Sequence, residues 1–157
     1  MRKLIFIILI ILVVLLSLFL LYSTYTNQLE KPVPKAEIEK YLNENYEVLT
    51  NIANLVHGKN GYFYVQYIDG KLDISTNIDE LYSEKEIKDN IIKQIDYTIN
   101  KLGFIGIYKD EHKDEVIFER KNNNGGSGLV YSINSTPESE YVELLRDKWF
   151  YYYWFGV

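Results

Sequence analysis

Hydrophobic and polar positions divide the chain into an apolar N-terminal segment and a body of mixed character. Residues 4–22 are apolar except for Ser17, and the first acidic residue is Glu30. A helix of this length extends roughly 28 Å, close to the ~30 Å hydrocarbon core of a bilayer. The run is longer than the apolar core of a secretory signal, and no pair of small residues follows it as a cleavage site. We therefore expect an uncleaved transmembrane anchor.

The residues that flank this segment predict its orientation. Arg2 and Lys3 precede it, whereas no cation follows it closely. Because basic residues remain on the cytoplasmic side, the N-terminus is predicted in the cytoplasm and the body outside the cell membrane. Tyr22 and Tyr25 are expected at the outer membrane interface, where an aromatic ring with a polar tip is favoured.

Two stretches of the body have the spacing of amphipathic helices, with apolar residues at intervals of three and four. The first follows Pro34 and ends at Gly58, and the second is predicted from a capping box at Ser83 and Glu86 to Gly103. Their predicted buried stripes are Ile38, Leu42, Tyr46, Leu49, Ala53 and Val56 in the first helix, and Ile87, Ile91, Ile95, Ile99 and Leu102 in the second.

The other regular patterns are typical of β-strands. Residues 61–76 predict a hairpin around a two-residue turn at Asp69-Gly70, with Val65 opposite Ile74. Further strands are predicted over residues 104–108, 116–120, 129–133 and 149–155.

Two connections complete the expected fold. The Asn- and Gly-rich segment 122–128 is predicted to be a flexible loop, and residues 136–145 a short helix. The order of helix, hairpin, helix and strands predicts a two-layer α+β domain, in which two main helices pack on an antiparallel sheet. The expected division of the chain is cytoplasmic residues 1–3, anchor 4–22, stalk 23–34 and extracytoplasmic domain 35–157.

Charge and composition exclude several classes of function. Beyond the anchor the body has a formal net charge of −7, from 15 basic and 22 acidic residues. This acidity argues against a nucleic-acid partner, because binding to phosphates requires a basic surface. The absence of cysteine excludes a disulfide scaffold, a thiolate metal site and a cysteine nucleophile. The frequent Ile, Lys, Asn and Tyr residues are typical of a low-GC bacterium.

The sequence contains no recognisable catalytic or metal-binding motif. His57 is expected to stabilise the end of the first helix. Residues 110–115 contain four carboxylates and His112, but their spacing does not match a known calcium or zinc motif, so we expect a solvated turn. The glycine-rich segment matches neither a P-loop nor a nucleophile elbow. We predict no catalytic residue, no metal ligand and no cofactor.

The most unusual feature is an unbroken run of aromatic residues over 149–155. In a strand, alternate side chains face opposite sides, so one set must cover the helices. The other set either is covered by loops or the short helix, binds a partner, or enters the outer leaflet of the membrane. The candidate partner-binding residues are Tyr62, Tyr64, Trp149, Tyr151, Tyr153 and Trp154.

These observations predict a single-pass membrane protein that displays a non-enzymatic binding domain on its outer face. The expected partner is another envelope or secreted protein, or a cell-wall glycan. The alternative hypothesis is a membrane-tethered hydrolase that acts on envelope polymers through carboxylates. A clustered pair of buried acids in a cleft favours the enzyme, whereas a flat or convex aromatic patch favours the binding domain. A third interpretation is that the aromatic residues serve only the core.

Overall fold

The chain forms two compact units, residues 1–31 and 32–157. A computed structural model describes residues 2–29, 32–68, 70–77, 85–122, 125–134, 136–137 and 141–155, with side chains except at 2–9, 26–29, 85–88, 121–122 and 155. The described helices are α1 (Arg2–Leu29), α2 (Lys35–Glu44), α3 (Tyr46–Val56) and α4 (Lys85–Asn100). The described strands are β1 (Phe63–Ile68), β2 (Lys71–Thr76), β3 (Gly106–Lys109), β4 (Glu115–Asn122), β5 (Gly125–Ser132), β6 (Tyr141–Arg146) and β7 (Trp149–Phe155).

The first unit consists of α1, which contains the predicted anchor. Its apolar side chains from Ile10 to Leu21 are 49–66% exposed. The Ser17 and Thr24 hydroxyls donate hydrogen bonds to carbonyls of the preceding helical turn, at 2.8 and 2.6 Å. Among the described residues, no helix combines the length and hydropathy that crossing a membrane requires. The side chains of residues 4–9, where the predicted anchor begins, lie outside the described ones.

The second unit begins with two helices where the sequence predicts one. The backbone leaves helical geometry at Asn45, whose φ is −127° and ψ is 22°. The Asn45 amide donates a hydrogen bond to the Tyr41 carbonyl at 3.0 Å, a side-chain bond that competes with the regular backbone ladder. The predicted apolar stripe nevertheless continues through both helices, and its buried members are Ile38, Leu42, Leu49, Ala53 and Val56, joined by Ile52.

Helix α4 supplies the second predicted stripe. Ile95, Ile99 and Leu102 are buried, and the chain turns away after the helix at Gly103, whose φ is +72°. This left-handed conformation is favourable for glycine and typical of a helix C-terminus. The predicted capping box at Ser83 and Glu86, and the Ile87 side chain, lie outside the described residues.

The described strands form one antiparallel sheet in the order β2-β1-β3-β4-β5-β7-β6, which confirms the predicted α+β class. The predicted hairpin is also confirmed, because Val65 lies opposite Ile74 and Ile68 opposite Lys71. This register leaves a two-residue turn, in which Gly70 has a φ of +75°. A type I′ turn requires such positive φ values.

The prediction of a flexible loop over the glycine-rich segment is wrong for Gly125–Gly128. These residues open β5, which pairs with β4 over its full length and with β7 from Gly125 to Tyr131. A side chain at Gly126 would overlap the Trp154 indole, and one at Gly128 would overlap the Phe118 carbonyl. The glycines are therefore strand residues selected for the close approach of neighbouring groups rather than for a turn.

The prediction of a short helix through Leu145 is also wrong. Residues 141–146 form β6, the edge strand beside β7. The Tyr141 and Tyr153 rings stack across the pair with their centres 4.6 Å apart and their planes 10° apart. Stacking of large side chains across neighbouring strands stabilises β6 as a strand. The capping residues in the sequence favour a helix and give no information about this cross-strand contact. Residues 136–137, where the predicted helix begins, are not helical, and residues 138–140 lie outside the described residues.

The core lies between the helices and one face of the sheet, which we call the helix face. Trp149 is fully buried there, with its ring centre 5.4 Å from that of Phe118 and 5.0 Å from that of Tyr131. Its indole nitrogen donates a hydrogen bond to the Thr50 hydroxyl at 3.3 Å, so the polar edge of the ring is satisfied by α3.

The segment before α2 is attached to the same face of the sheet. The Val33 N–H donates to the Ser127 hydroxyl at 2.9 Å, and the Val33 carbonyl accepts a hydrogen bond from the Tyr151 hydroxyl at 2.8 Å. Lys35 forms an ion pair with Glu143 of β6 at 2.6 Å. Val33 belongs to the predicted stalk, but these bonds connect it to β5 and β7.

Candidate binding surface

The sheet face opposite the helices, which we call the outer face, carries a row of apolar side chains in register. Each of the six adjacent strands β1, β3, β4, β5, β7 and β6 contributes one residue to this row. The row consists of Tyr64, Tyr108, Ile117, Val130, Phe150 and Leu144. The ends of the row are exposed, at Tyr64 and Leu144, whereas Val130 at its centre is fully buried.

A cavity of about 550 Å³ lies at the β1 end of this row. We call it the tyrosine pocket, after the three tyrosines among its lining residues. It is lined by Tyr62, Phe63, Tyr64, Tyr108, Lys109, Asp110, Glu111 and His112. This volume lies within the ~300–1,000 Å³ typical of ligand sites.

Strand alternation directs the pocket tyrosines outward. Phe63 and Val65 are buried on the helix face, so Tyr64 between them faces outward and is 41% exposed. Tyr62 precedes the strand and is 38% exposed. Its N–H donates to the Asn77 side-chain oxygen at 2.6 Å, which fixes the base of the hairpin.

Lys109 links the ends of β1 and β3 at the pocket. This lysine is buried, and its Nζ donates hydrogen bonds to the carbonyls of Gly61 at 3.2 Å and Asp110 at 3.3 Å. Buried ammonium groups require such acceptors, because desolvation without compensation is costly. The amine therefore holds the two strand ends together under the pocket.

The turn between β3 and β4 supplies the polar wall. Asp110 Oδ1 accepts a hydrogen bond from the His112 N–H at 2.8 Å, a local bond typical of Asx turns. His112 is exposed, and its Nε2 lies 3.1 Å from Glu111 Oε1. Within the described part of the chain, no group of three or more acidic, histidine or cysteine side chains is arranged to bind a metal ion.

Tyr108 of the pocket lies next to Tyr152, which also belongs to the outer face. Burial, reinforced by the Glu119 carboxylate, raises the pKa of Tyr108 to about 12. Burial also raises the pKa of Tyr152 far above its usual range, with further contributions from Tyr108 and Glu119. The Tyr152 hydroxyl interacts with that of Tyr108 but makes no hydrogen bond of regular geometry. Both phenols are therefore neutral at physiological pH and do not act there as bases.

The structure separates the candidate aromatic residues of β7. Trp149 and Tyr151 are buried on the helix face, so their assignment to a partner-binding surface is corrected to a role in the core. Tyr153 is half-buried, packs against that core and stacks on Tyr141. Trp154 faces outward, is 42% exposed and lies over Gly126.

The residues predicted at the membrane interface belong to α1. Tyr22 and Tyr25 are exposed, at 67% and 62%. The side chains of Arg2 and Lys3 lie outside the described residues.

His57 follows α3 and contacts the turn before β4. Its Nε2 lies 3.1 Å from Asp114 Oδ2, without the direction of a regular hydrogen bond. Asp114 also accepts hydrogen bonds from the Gly58 N–H at 2.9 Å and the Asn134 amide at 3.0 Å. The arrangement joins the end of a helix to a turn, which agrees with a structural role for this histidine.

The sequence suggests Tyr62 and Tyr64 as candidates and predicts a solvated turn at residues 110–115, but it does not suggest Tyr108 or the proximity of that turn to the tyrosines. The available signal was the alternation of Ile107 and Tyr108, which predicts that Tyr108 faces away from the core. The pairing of β1 with β3, which places Tyr64 opposite Tyr108, was not predicted because α4 separates these strands in sequence. Comparison of the chain with protein-family models, curated proteins and solved structures finds no match.

Proposed function

We propose that this protein is a single-pass membrane protein whose acidic domain lies outside the cell and binds a partner without catalysing a reaction. The observation that carries the binding function is the tyrosine pocket. Tyr and other aromatic residues are enriched in protein interfaces, where they provide large contact areas. The partner is another envelope protein, a secreted protein or a cell-wall glycan.

The membrane anchor is supported by α1 and by the residues around it. The apolar sequence of residues 4–22 lies within one continuous helix, and its described apolar side chains are exposed on all sides. A helix that is apolar on all sides requires an apolar environment. Arg2 and Lys3 at its start favour a cytoplasmic N-terminus.

The hydrolase alternative has less support. A glycosidase requires two carboxylates that flank the scissile bond, roughly 5–10 Å apart. Among the described acidic residues, only Glu115 is buried. Asp110 and Glu111 at the tyrosine pocket are exposed rather than buried in a cleft.

The topology is tested in intact cells or spheroplasts. Added protease should digest the domain, and alkaline carbonate should leave the full-length chain in the membrane fraction. Digestion that occurs only after lysis would place the domain in the cytoplasm and overturn the proposed orientation.

The binding function is tested with a photo-crosslinking amino acid at position 64 in the cells that produce the protein. Tyr97 on α4 is a matched control, because its 43% exposure is close to the 41% of Tyr64. We expect a discrete crosslinked product from position 64 and none from position 97. Equal products from both positions, or none from position 64, would contradict the proposed surface.

A further inference from the structure

We infer that the tyrosine pocket binds a cationic side chain, lysine or arginine, of a partner protein. This inference rests on the proposed binding function and specifies its chemistry. Three tyrosines line the cavity, and the ring centres of Tyr64 and Tyr108 lie 6.2 Å apart with their planes at 41°. The negative face of an aromatic ring attracts a cation placed within ~6 Å of the ring centre.

The charges around the cavity have the sign that this occupant requires. Asp110 and Glu111 contribute two carboxylates to the lining, which exceed the single positive charge of the Lys109 ammonium, and that ammonium donates to two backbone carbonyls. The unit formed by residues 32–157 has a formal net charge of −7, from 14 basic and 21 acidic residues. An acidic surface of this kind attracts a basic partner and accelerates its association.

The same molecule already contains this type of contact elsewhere. The Arg120 guanidinium lies 4.5 Å from the ring centre of Tyr41, and that of Arg146 lies 4.2 Å from the ring centre of Tyr46. Among the described residues, no lysine or arginine lies over the ring of a pocket tyrosine in this way. The tyrosine pocket thus offers aromatic faces and carboxylates to a cation from another molecule.

A lysine-containing capped peptide tests the inference on the full-length protein in non-ionic detergent. The comparison ligands are the same peptide with glutamine in place of lysine and an N-acetylglucosamine oligomer. We expect the lysine peptide to bind at least about 5-fold more tightly than the glutamine peptide. Its affinity should fall as salt is raised, because salt screens exposed charges.

Variants of the lining residues separate the contribution of the aromatic ring to binding from that of the carboxylate. Tyr64→Leu removes the aromatic face and should weaken lysine-peptide binding by about 2- to 5-fold, whereas Tyr64→Phe should retain it. Glu111→Gln should weaken binding and reduce its salt dependence. Tyr97→Leu, on the helix layer, should change neither quantity.

Three results would overturn the inference. They are equal affinities for the two peptides, no binding of the lysine peptide, and preference for the glycan. If crosslinking at position 64 captures a partner while the lysine peptide does not bind, the cationic occupant is wrong and the binding function stands. If crosslinking at position 64 also fails, the proposed function falls with it.

Discussion

The indole of Trp154 lies over the backbone of Gly126, in the space that a side chain at position 126 would occupy. The two residues are paired in register between β7 and β5. Two residues further along, Gly128 and Tyr152 are paired in the same way. Two of the outward-facing aromatic residues of β7, Tyr152 and Trp154, are therefore accommodated by glycines on the neighbouring strand.

The first prediction concerns Gly126. Gly126→Ala should lower the free energy of unfolding by about 1–3 kcal/mol, because the new methyl group forces the Trp154 indole to move. The same substitution in a Trp154→Ala background should cost less, with a coupling of at least about 0.5 kcal/mol. Urea unfolding of the four proteins in this cycle measures both values.

Gly128→Ala provides the comparison, because the group nearest to its Cβ position is the Phe118 carbonyl, and the Tyr152 ring lies farther away. A backbone group cannot rotate away, so we expect a larger loss of stability than for Gly126→Ala. If both substitutions leave the midpoint of unfolding unchanged, the close packing of β5 against its neighbours is incorrect.

The second prediction concerns the two tryptophans of β7. Trp149→Ala should cost about 3–5 kcal/mol, because a fully buried ring is removed from the core. Trp154→Ala should cost about 1 kcal/mol or less, because its ring is 42% exposed. Thermal unfolding of the two variants measures the difference, and similar costs would show that both faces of β7 are core.

The third prediction compares two buried hydroxyls. Tyr152→Phe removes a hydroxyl that lacks a regular hydrogen bond, so stability should remain unchanged or rise by about 1 kcal/mol. Tyr151→Phe removes the donor to the Val33 carbonyl and should cost about 0.5–1.5 kcal/mol. Chemical denaturation distinguishes the two, and an equal loss would indicate that Tyr152 has a strong partner.

The fourth prediction is a loss of stability at alkaline pH. Tyrosines of the unfolded chain ionise near pH ~10, whereas Tyr108 in the folded protein has a pKa of about 12. The unfolded state therefore releases protons first, and stability falls as pH rises. The stabilisation from Tyr108 is complete below about pH 10 and is lost as pH rises through about 12.

Circular dichroism during urea unfolding, measured between about pH 8 and about pH 12, follows this loss. Tyr152→Phe should make the decline less steep, because the raised pKa of Tyr152 contributes to it in the same direction. A free energy of unfolding that stays constant above pH ~10 would contradict the burial of this pair.

Local sequence patterns predicted the helices and strands whose defining contacts join residues close together in the sequence. The stripes of α3 and α4 follow from helical spacing, and the β1–β2 hairpin follows from alternation around its two-residue turn. The run at 149–155 is likewise a strand with one face in the core. Each of these predictions depends on residues that are close in sequence.

Contacts between residues far apart in the sequence decided the structure of three other parts of the chain. These are the glycine-rich segment, the predicted short helix and the tyrosine pocket. Local composition is typical of a loop at 125–128, but β7 aromatic residues lie over the glycines and make the segment a strand. Pairing with β7 likewise makes residues 141–146 a strand. The sequence by itself determined the apolar segment, the acidic body, the amphipathic helices and the β1–β2 hairpin. Only the tertiary structure brought Tyr64, Tyr108 and the acidic turn around one cavity, because strand order depends on contacts between residues far apart in the chain.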